Sequence, residues 1–371
     1  IKIERPGAGD DTRGWGPPFL KNANGEDGDA AYFHAANRNK KSVAINIADP
    51  EGAEILRRLT DRAQIFVENF KVGGLKKYGL DYETLAARNP ALVYCSISGF
   101  GQTGPYAHRP GYDYMIQAMG GLMSVTGQPD GAPGAEPMKV GVAVADLFAG
   151  MYASNAMLAA LRHAERTGEG QRIDVSLLDC QAAMLANQAM NYLASGAAPT
   201  RLGNAHPNIA PYQVFKTKDA YCVVAVGNDG QFRAFVEALG IGELADDPRF
   251  AANASRVRHR TELNAALDPV IVALPTVDLL AALERANVPA GPINDIEAVF
   301  SDEQIAAREL AINIGRGDAP AQRYVRHPVK YSGTRTVDDG APPRLGADTD
   351  DVLKSILGMT PDAIARLGGG D

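Results

Sequence analysis

Hydrophobic and polar positions alternate with two different periods along the first half of the chain. Short apolar runs predict strands at residues 1–4, 42–47, 65–67, 92–97 and 172–176. Apolar residues spaced three and four apart predict helices at residues 49–62, 81–88, 115–123 and 178–193, and a longer one that begins near Asp146. Strands and helices that alternate in this way form a parallel sheet covered on both faces, so we predict an α/β fold.

The pattern changes at Ser195, where a linker containing Gly, Pro and Asn begins. Residues 212–216 and 221–226 predict an antiparallel strand pair, followed by helices at 229–239, 259–272 and 276–287. Residues 8–30 and 294–340 lack either period and predict a long loop and an extended segment. The predicted organisation is a large Rossmann-like α/β domain (1–194), a linker (195–211), a small α+β domain (212–293), a return linker (294–340) and the C-terminal part of the large domain (341–371). Because the first strand starts in mid-pattern, we expect an earlier strand of the large domain to be missing.

Asp146 is the only charged residue between Lys139 and Arg162, and it stands where a run of small residues gives way to a long apolar helix. One interpretation is structural, since Asp is common at helix starts, where its carboxylate accepts a hydrogen bond from a backbone N–H group. The other is chemical, since this position places an ionised carboxylate beside free N–H donors in apolar surroundings, which suits a nucleophile. From this stretch alone both interpretations stay open.

Two predicted strands end in segments that are unusual for ordinary turns. Ligands of parallel sheets bind beyond the carboxyl ends of the strands. One such end carries Asn69, Phe70 and Lys71, followed by Lys76 and Lys77, and the other is the glycine-rich run SGFGQTGP at 98–105. Neither is a dinucleotide fingerprint or a phosphate-binding loop motif. The basic residues predict a phosphate-bearing ligand, with solvated loop charges as the alternative.

Composition excludes several classes of function. The formal net charge is −7 and no dense stripe of Lys and Arg offsets it, which argues against a nucleic-acid partner. No apolar run approaches the roughly 20 residues that span a bilayer, and the first residues do not form a secretory signal, so we expect no membrane association. Cys95, Cys180 and Cys222 lie in or beside apolar runs, which predicts buried free thiols in a reducing compartment. The six histidines show no metal-ligand spacing, so we expect no metal site.

Nine segments of the chain occur together in a fixed order: IKIERPG, NRNKKSVAIN, VENF, SISGFGQTGP, GYDYMIQAMGGLMSVTG, GVAVADLFAGMYA, GEGQRIDVSLLD, PAGPIN and PPRLG. In this order they resemble the class III CoA-transferases, the family of formyl-CoA transferase and the carnitine CoA-transferases. The run GNAHPNIAPYQVFKTKD is similar to the linker and hairpin of the succinyl-CoA:glutarate transferase type. The resemblance extends from Ile1 to the C-terminus and implies a homodimer of two interlocked chains.

The resemblance implies that Asp146 is the acyl-accepting aspartate of a CoA-transferase. A carboxylate with an ordinary pKa of about 3.9 is ionised at neutral pH and needs no base to attack. In the family scheme it opens a donor acyl-CoA such as succinyl-CoA to an aspartyl anhydride, and CoA then returns to form an aspartyl-CoA thioester. A short carboxylic or dicarboxylic acid attacks that thioester, and a second anhydride releases the new acyl-CoA. CoA is thus a substrate, and we expect no permanently bound cofactor.

The resemblance also assigns the binding residues. It places CoA along Arg5, Ile45, Ala48, Asn69, Phe70, Lys71 and Lys77. It places Tyr112 and Asp113 close to the reacting acyl group, and His206 in the segment that replaces the glycine lid of formyl-CoA transferase. His206 either binds the distal carboxylate of the acceptor acid or hydrogen-bonds the linker backbone.

Two alternatives to a transferase remain. The α-methylacyl-CoA racemases share the fold but carry a His-Asp pair where this chain has Tyr112 and Asp113. A tyrosine with a pKa of about 10 is a poor base for moving an α-proton, which favours the transferase over a racemase-like isomerase. A CoA-binding protein without turnover is the other alternative. We expect the protein in the bacterial cytoplasm, with the mitochondrial matrix as second choice.

Overall fold

The computed structural model describes residues 1–316, 319–336 and 340–367. The chain divides into two compact units. Unit 1 comprises Ile1–Ile97, Ala153–Asp174 and Ile296–Asp371, and unit 2 comprises Ser98–Tyr152 and Val175–Asp295.

The described residues form both strands and helices along the whole chain. The strands are β1 Lys2–Glu4, β2 Phe19–Lys21, β3 Asp27–Ala30, β4 Ser42–Ala44, β5 Ile65–Glu68, β6 Val93–Ser98, β7 Gln171–Ser176, β8 Tyr212–Lys216, β9 Tyr221–Ala225, β10 Ala290–Pro292, β11 Ala311–Arg316 and β12 Ala319–Val325. The α-helices are α1 Ala31–Ala36, α2 Pro50–Thr60, α3 Tyr82–Arg88, α4 Asp113–Met119, α5 Leu122–Val125, α6 Val144–Thr167, α7 Leu177–Met184, α8 Ala186–Ser195, α9 Asp229–Ala238, α10 Asn253–Arg258, α11 Arg260–Ile271, α12 Thr276–Arg285, α13 Ile296–Ser301, α14 Glu303–Ala307, α15 Thr349–Leu357 and α16 Pro361–Leu367.

Parallel strand pairs form the centre of unit 1. β1 pairs in parallel with β4, and β5 pairs in parallel with β6, whose other neighbour is β7. Ala160 and Ala164 of α6 pack with Val93 of β6. The predicted α/β class, with a parallel sheet and covering helices, is confirmed.

Helix α2 illustrates how local sequence and core packing agree. Asp49 accepts a hydrogen bond from the Glu51 N–H group, and Pro50 occupies the first position, where its missing N–H costs nothing. The apolar face of α2 is buried in the core of unit 1, together with Tyr94 of β6 and Leu353 of α15. The C-terminal helix α15 thus completes the same core as β4 and β6.

Helix α6 runs for 24 residues, and its buried side chains are alanines: Ala145, Ala149, Ala153, Ala160 and Ala164. Among the described residues, α6 is the one helix that is long and apolar enough to cross a bilayer. Helices α11 and α12 would provide a second crossing only if together they formed a single membrane-spanning segment, and they are bent by 114° relative to each other. The expectation that no run reaches this length was wrong for α6, because alanines add hydropathy while allowing close helix packing. Core helices of soluble proteins can be equally long and apolar, so these two properties are weak evidence of a membrane segment.

Unit 2 contains a three-stranded antiparallel sheet with strand order β10-β9-β8. Its core includes the buried rings Phe215, Phe232, Phe235 and Phe250, which pack with apolar residues of α11 and α12. The predicted hairpin and the predicted helices near 229–239, 259–272 and 276–287 are therefore confirmed.

Three local predictions were wrong. Residues 8–30 include the antiparallel pair β2–β3 rather than a plain loop, and residues 294–340 include α13, α14 and the antiparallel pair β11–β12. The predicted helix 178–193 is two helices, α7 and α8, with Ala186 at a positive φ of 45° between them. Two-stranded pairs such as β2–β3 bury little, so their sequences carry no alternating apolar pattern. The domain boundaries drawn from the sequence stay a prediction.

Candidate active site

Asp146 lies in the first turn of α6, and its side chain reaches solvent. The helix start is held by a different carboxylate, because Asp113 Oδ1 accepts the N–H group of Ala145 at 2.8 Å. Within the described residues, nothing donates a hydrogen bond to the carboxylate of Asp146, and the N–H group of Asp146 has no acceptor. The capping interpretation of Asp146 is therefore wrong, and both its carboxylate and its N–H group are available for another role.

The surroundings of Asp146 disfavour its charged form. Although the side chain reaches solvent, enough protein surrounds it for desolvation to raise its pKa, and the negative charge of Asp113 raises the pKa further. A carboxylate with a raised pKa holds its electron pair less tightly and is a better nucleophile once it is ionised.

Gln117, on α4, connects Asp113 to the segment that precedes α6. Its side chain is 0% exposed. Its Nε2 donates to Asp113 Oδ2 at 2.7 Å and to the carbonyl of Val142 at 3.3 Å, while its Oε1 accepts the N–H group of Val140 at 2.9 Å. Sequence reasoning did not select Gln117. The available signal was a polar residue one helical turn after Asp113 within an otherwise apolar face.

Tyr112 and Asp113 are placed by a close approach of two backbone segments. Gly99 follows β6, and Gly111 immediately precedes Tyr112. A Cβ atom at Gly99 would lie 2.5 Å from the Cα of Gly111, and one at Gly111 would lie 2.4 Å from the Cα of Gly99. Glycine is required at both positions because any side chain would separate these segments.

Most of the residues predicted to bind CoA follow the carboxyl ends of parallel strands of unit 1, whereas Lys77 lies in the short helical turn Lys76–Tyr78. Arg5 follows β1 and Ile45 follows the neighbouring β4, and the N–H group of Ile45 donates to the carbonyl of Glu4 at 2.9 Å. Asn69, Phe70 and Lys71 follow β5. This placement agrees with the general position of ligands on parallel sheets.

The side chains of this group differ in what they can offer a ligand. Ile45 is 5% exposed and packs in the core of unit 1, so only its backbone can face a ligand. The ring of Phe70 is 47% exposed and can stack on an aromatic base. The Nζ atom of Lys77 lies 4.7 Å from the centre of the Tyr78 ring, and Ala48 donates its N–H group to Asn46 Oδ1. Arg5 and Lys71 have exposed side chains, as an anion site needs.

His206 is fixed within unit 2 through its backbone and one ring nitrogen. Its Nδ1 accepts the N–H group of Asn208 at 3.1 Å, and Arg260 donates to its carbonyl oxygen at 2.6 Å. Desolvation lowers its pKa, and the charge of Arg260 lowers it further. The neutral ring therefore carries its proton on Nε2. Nδ1 thus accepts the predicted hydrogen bond from the linker backbone. The Nε2–H group is the one that could donate to the carboxylate of an acceptor acid.

The segment immediately before His206 lines a groove of about 640 Å³ in unit 2. Its wall includes the polar residues Lys216 of β8 and Asn264 and Asp268 of α11. Elsewhere, Cys95, Cys180 and Cys222 are free and buried. Residues 1–316, 319–336 and 340–367 contain no cluster of His, Cys, Asp and Glu suited to a metal ion.

Comparison with known proteins agrees with this arrangement. Residues 1–349 match the profile of CoA-transferase family III, so the chain belongs to this family and is a class III CoA-transferase. It is 52% identical over 356 residues to the Succinate--glutarate CoA-transferase of Agrobacterium fabrum, covering 96% of this chain and 88% of that protein. It is 41% identical over 367 residues to the mouse Succinyl-CoA:glutarate CoA-transferase, covering 99% of this chain and 82% of that protein.

A solved structure supports the same assignment. The crystal structure of a CAIB/BAIF family protein from Brucella suis superposes with a TM-score of 0.82 at 51% sequence identity. The match covers 96% of this chain and 91% of that one. The family resemblance inferred from the sequence is confirmed.

Proposed function

We propose that this enzyme transfers CoA from a donor acyl-CoA such as succinyl-CoA to a short carboxylic or dicarboxylic acid, with glutarate as the first candidate. The observation that carries the proposal is Asp146, whose carboxylate accepts no hydrogen bond from the described residues and lies at the start of a long helix. The relatives named for succinate or succinyl-CoA and glutarate support the choice of substrates.

The reaction proceeds through covalent adducts of Asp146. A carboxylate oxygen of Asp146 attacks the thioester carbonyl carbon of the donor, the C–S bond breaks, and CoA leaves as a thiolate. The thiolate attacks the aspartyl carbonyl of the resulting anhydride and releases the donor acid as its carboxylate. The N–H group of Asp146, without an acceptor in the described chain, and the positive end of α6 are suited to stabilise developing oxyanions.

The second half of the reaction repeats these steps in reverse order. The carboxylate of the acceptor acid attacks the aspartyl-CoA thioester, which forms a new anhydride and expels the thiolate. The thiolate then attacks the acceptor's acyl carbon, so the new acyl-CoA leaves and the carboxylate of Asp146 is restored. Both anhydrides hydrolyse readily, so water has to be excluded from the site.

The remaining predicted residues bind the two substrates. Cationic Arg5, Lys71 and Lys77 contact the phosphates of CoA, and Phe70, with the backbone at Ile45, Ala48 and Asn69, contacts its adenine and pantetheine. Tyr112 and Asp113 lie near the reacting acyl group. His206 donates from Nε2 to the distal carboxylate of a dicarboxylic acceptor.

A homodimer and a reducing compartment complete the proposal. Large apolar side chains on α6 and α8 are exposed in the single chain, including Leu147, Met151 and Leu193. Exposed large apolar side chains of this kind often lie in an interface, and a second chain would cover them. The three free buried cysteines fit a reducing compartment such as the bacterial cytoplasm.

Hydroxylamine trapping tests the proposal directly. During incubation with succinyl-CoA, hydroxylamine should convert Asp146 to a hydroxamate and stop turnover, and Asp146→Asn should exchange CoA at least about 1,000-fold more slowly. The matched control is Asp278→Asn, which changes another first-turn aspartate of unit 2, on α12. A parent rate for Asp146→Asn would contradict the proposal, as would exchange of the donor's α-hydrogen without transfer to free acids.

A further inference from the structure

We propose that Gln117 is a positioning residue for Asp146. The inference rests on the proposed role of Asp146 and extends it to a residue that does not touch the substrate. The buried amide of Gln117 is connected to the start of α6 by two sets of hydrogen bonds, one through Asp113 and one through the backbone at 140–142.

The first connection is through Asp113. Gln117 Nε2 donates to one oxygen of Asp113 at 2.7 Å, and the other oxygen accepts the N–H group of Ala145 at 2.8 Å. Ala145 directly precedes Asp146, so the orientation of Asp113 fixes the backbone from which the nucleophile projects. Asp113 is also the charged group that raises the pKa of Asp146.

The second connection is through the backbone segment that leads into α6. Gln117 Oε1 accepts from Val140 at 2.9 Å, and Nε2 donates to the carbonyl of Val142 at 3.3 Å. One side chain thus meets two acceptors and one donor. An amide satisfies all three because it carries both an NH₂ group and a carbonyl oxygen at the same end. A carboxylate of the same shape would place an acceptor against Asp113 and the Val142 carbonyl.

This chemistry distinguishes a positioning role from simple core packing. In Gln117→Glu the ionised side chain repels Asp113, whereas the protonated side chain regains one O–H donor and one carbonyl acceptor. Burial and the adjacent carboxylate both favour the protonated form of such a group. The other charged or titratable groups on elements beside α4 are Lys139, Asp146, Asp179 and Cys180.

The experiment compares CoA transfer by four variants of the chain: Gln117→Glu, Gln117→Met, Gln181→Met and Asp146→Asn. At about pH 8 we expect Gln117→Glu and Gln117→Met to lower kcat by about 10- to 100-fold, with less than about a 3-fold change in KM for acyl-CoA. Relative to the parent enzyme, Gln117→Glu should recover at least about 5-fold as the pH falls to about 5.5, while the Gln117→Met ratio stays constant.

The control is Gln181→Met on the adjacent helix α7. Gln181 is equally buried, but its amide has no hydrogen-bond partner among the described residues. Gln181→Met should leave kcat within about 3-fold of the parent value, and thermal unfolding of all variants would verify that they fold. The same assays are run on Asp146→Asn.

The outcomes separate the inference from the proposed function. Recovery of Gln117→Glu at low pH, together with an inactive Asp146→Asn variant, supports the inference. If Asp146→Asn is inactive but the Gln117→Glu ratio does not change with pH, the positioning role is overturned and the proposed function stands. If Asp146→Asn remains active, the proposed function fails, and a positioning role toward Asp146 fails with it.

Discussion

Asp146 holds its charge in a less favourable environment than an aspartate in water would, because desolvation and Asp113 both act against ionisation. A carboxylate with a structural role usually has its pKa shifted in the opposite direction. Asp10, for example, has its pKa lowered to about 2, where hydrogen bonds from Lys2 and Thr12 outweigh the desolvation that raises it. Perturbation toward the neutral form without a hydrogen-bonding partner is typical of groups that are kept for chemistry.

Replacing Asp146 should stabilise the protein while it removes activity. A carboxyl group with a raised pKa contributes stability that is complete below its unfolded pKa of about 3.9 and is lost as pH rises through the folded pKa. At pH 7 the parent lacks this contribution, so Asp146→Asn should be more stable there, by less than about 1 kcal/mol because the side chain reaches solvent. Urea unfolding at about pH 7 and about pH 4 measures the difference. A larger gain at the lower pH would contradict the argument.

The charge of Asp113 should set the acid limit of the reaction. Because this charge raises the pKa of Asp146, Asp113→Asn should shift the acid limb of the kcat/KM profile to lower pH. The variant should also be slower at its optimum, since an amide has only one acceptor oxygen and cannot accept from both Gln117 and the N–H group of Ala145. An acid limb that stays in place or moves to higher pH would show that another group controls it.

At the level of elements, Arg256 of α10 ties the linker to the core of unit 2. It is fully buried and donates to the carbonyls of Ala210 and Phe250 at 2.6 and 2.8 Å, and to Asp229 at 2.7 Å. Its guanidinium also lies 4.4 Å from the centre of the Phe232 ring. Arg256 thus helps to hold the C-terminal end of the segment that carries His206, together with Asn253, which accepts the N–H group of Ala210.

Removing this anchor should destabilise unit 2 strongly. Arg256→Met leaves two buried carbonyls without a donor, and we expect a loss of about 2–4 kcal/mol in the free energy of unfolding. The matched control is Arg233→Met, which breaks an exposed Arg–Asp pair of similar length and should cost under about 0.5 kcal/mol. Denaturant unfolding compares the two. Equal losses would mean that burial of Arg256 does not matter.

Elements with a buried apolar face were predictable from sequence, whereas contacts between distant segments were not. Helix α2 and the hairpin β8–β9 carry apolar patterns because they cover a core, but β2–β3 does not. At the site, an isolated charge at a helix start drew attention to Asp146. The hydrogen bond from the N–H group of Ala145 to Asp113 argues against the capping interpretation of Asp146. It joins residues that are 32 positions apart, so no local sequence pattern predicts it.

At the level of the whole molecule, the proposed homodimer would cover the exposed apolar side chains of α6 and α8. We expect the native mass to be about twice 39.3 kDa by light scattering. Leu193→Glu, at a side chain that is 71% exposed on α8, should weaken the dimer at least about 10-fold, since it places a charge in the proposed apolar interface.

Val277→Glu provides the comparison for this variant. Val277 lies on α12 and is also 71% exposed, but α12 is not part of the proposed interface. It should leave the mass unchanged. A monomeric parent chain, or equal dissociation of both variants, would contradict a dimer that buries α8.

The contact between Gly99 and Gly111 limits how this enzyme can change over time. Each glycine occupies the space that a methyl group on the other would need, and neither can become smaller to accommodate a change in its neighbour. A lineage that gained alanine at one position would have no compensating replacement at the other. Libraries of random variants should therefore retain both glycines together, and new acceptor preferences should arise from changes elsewhere in the chain.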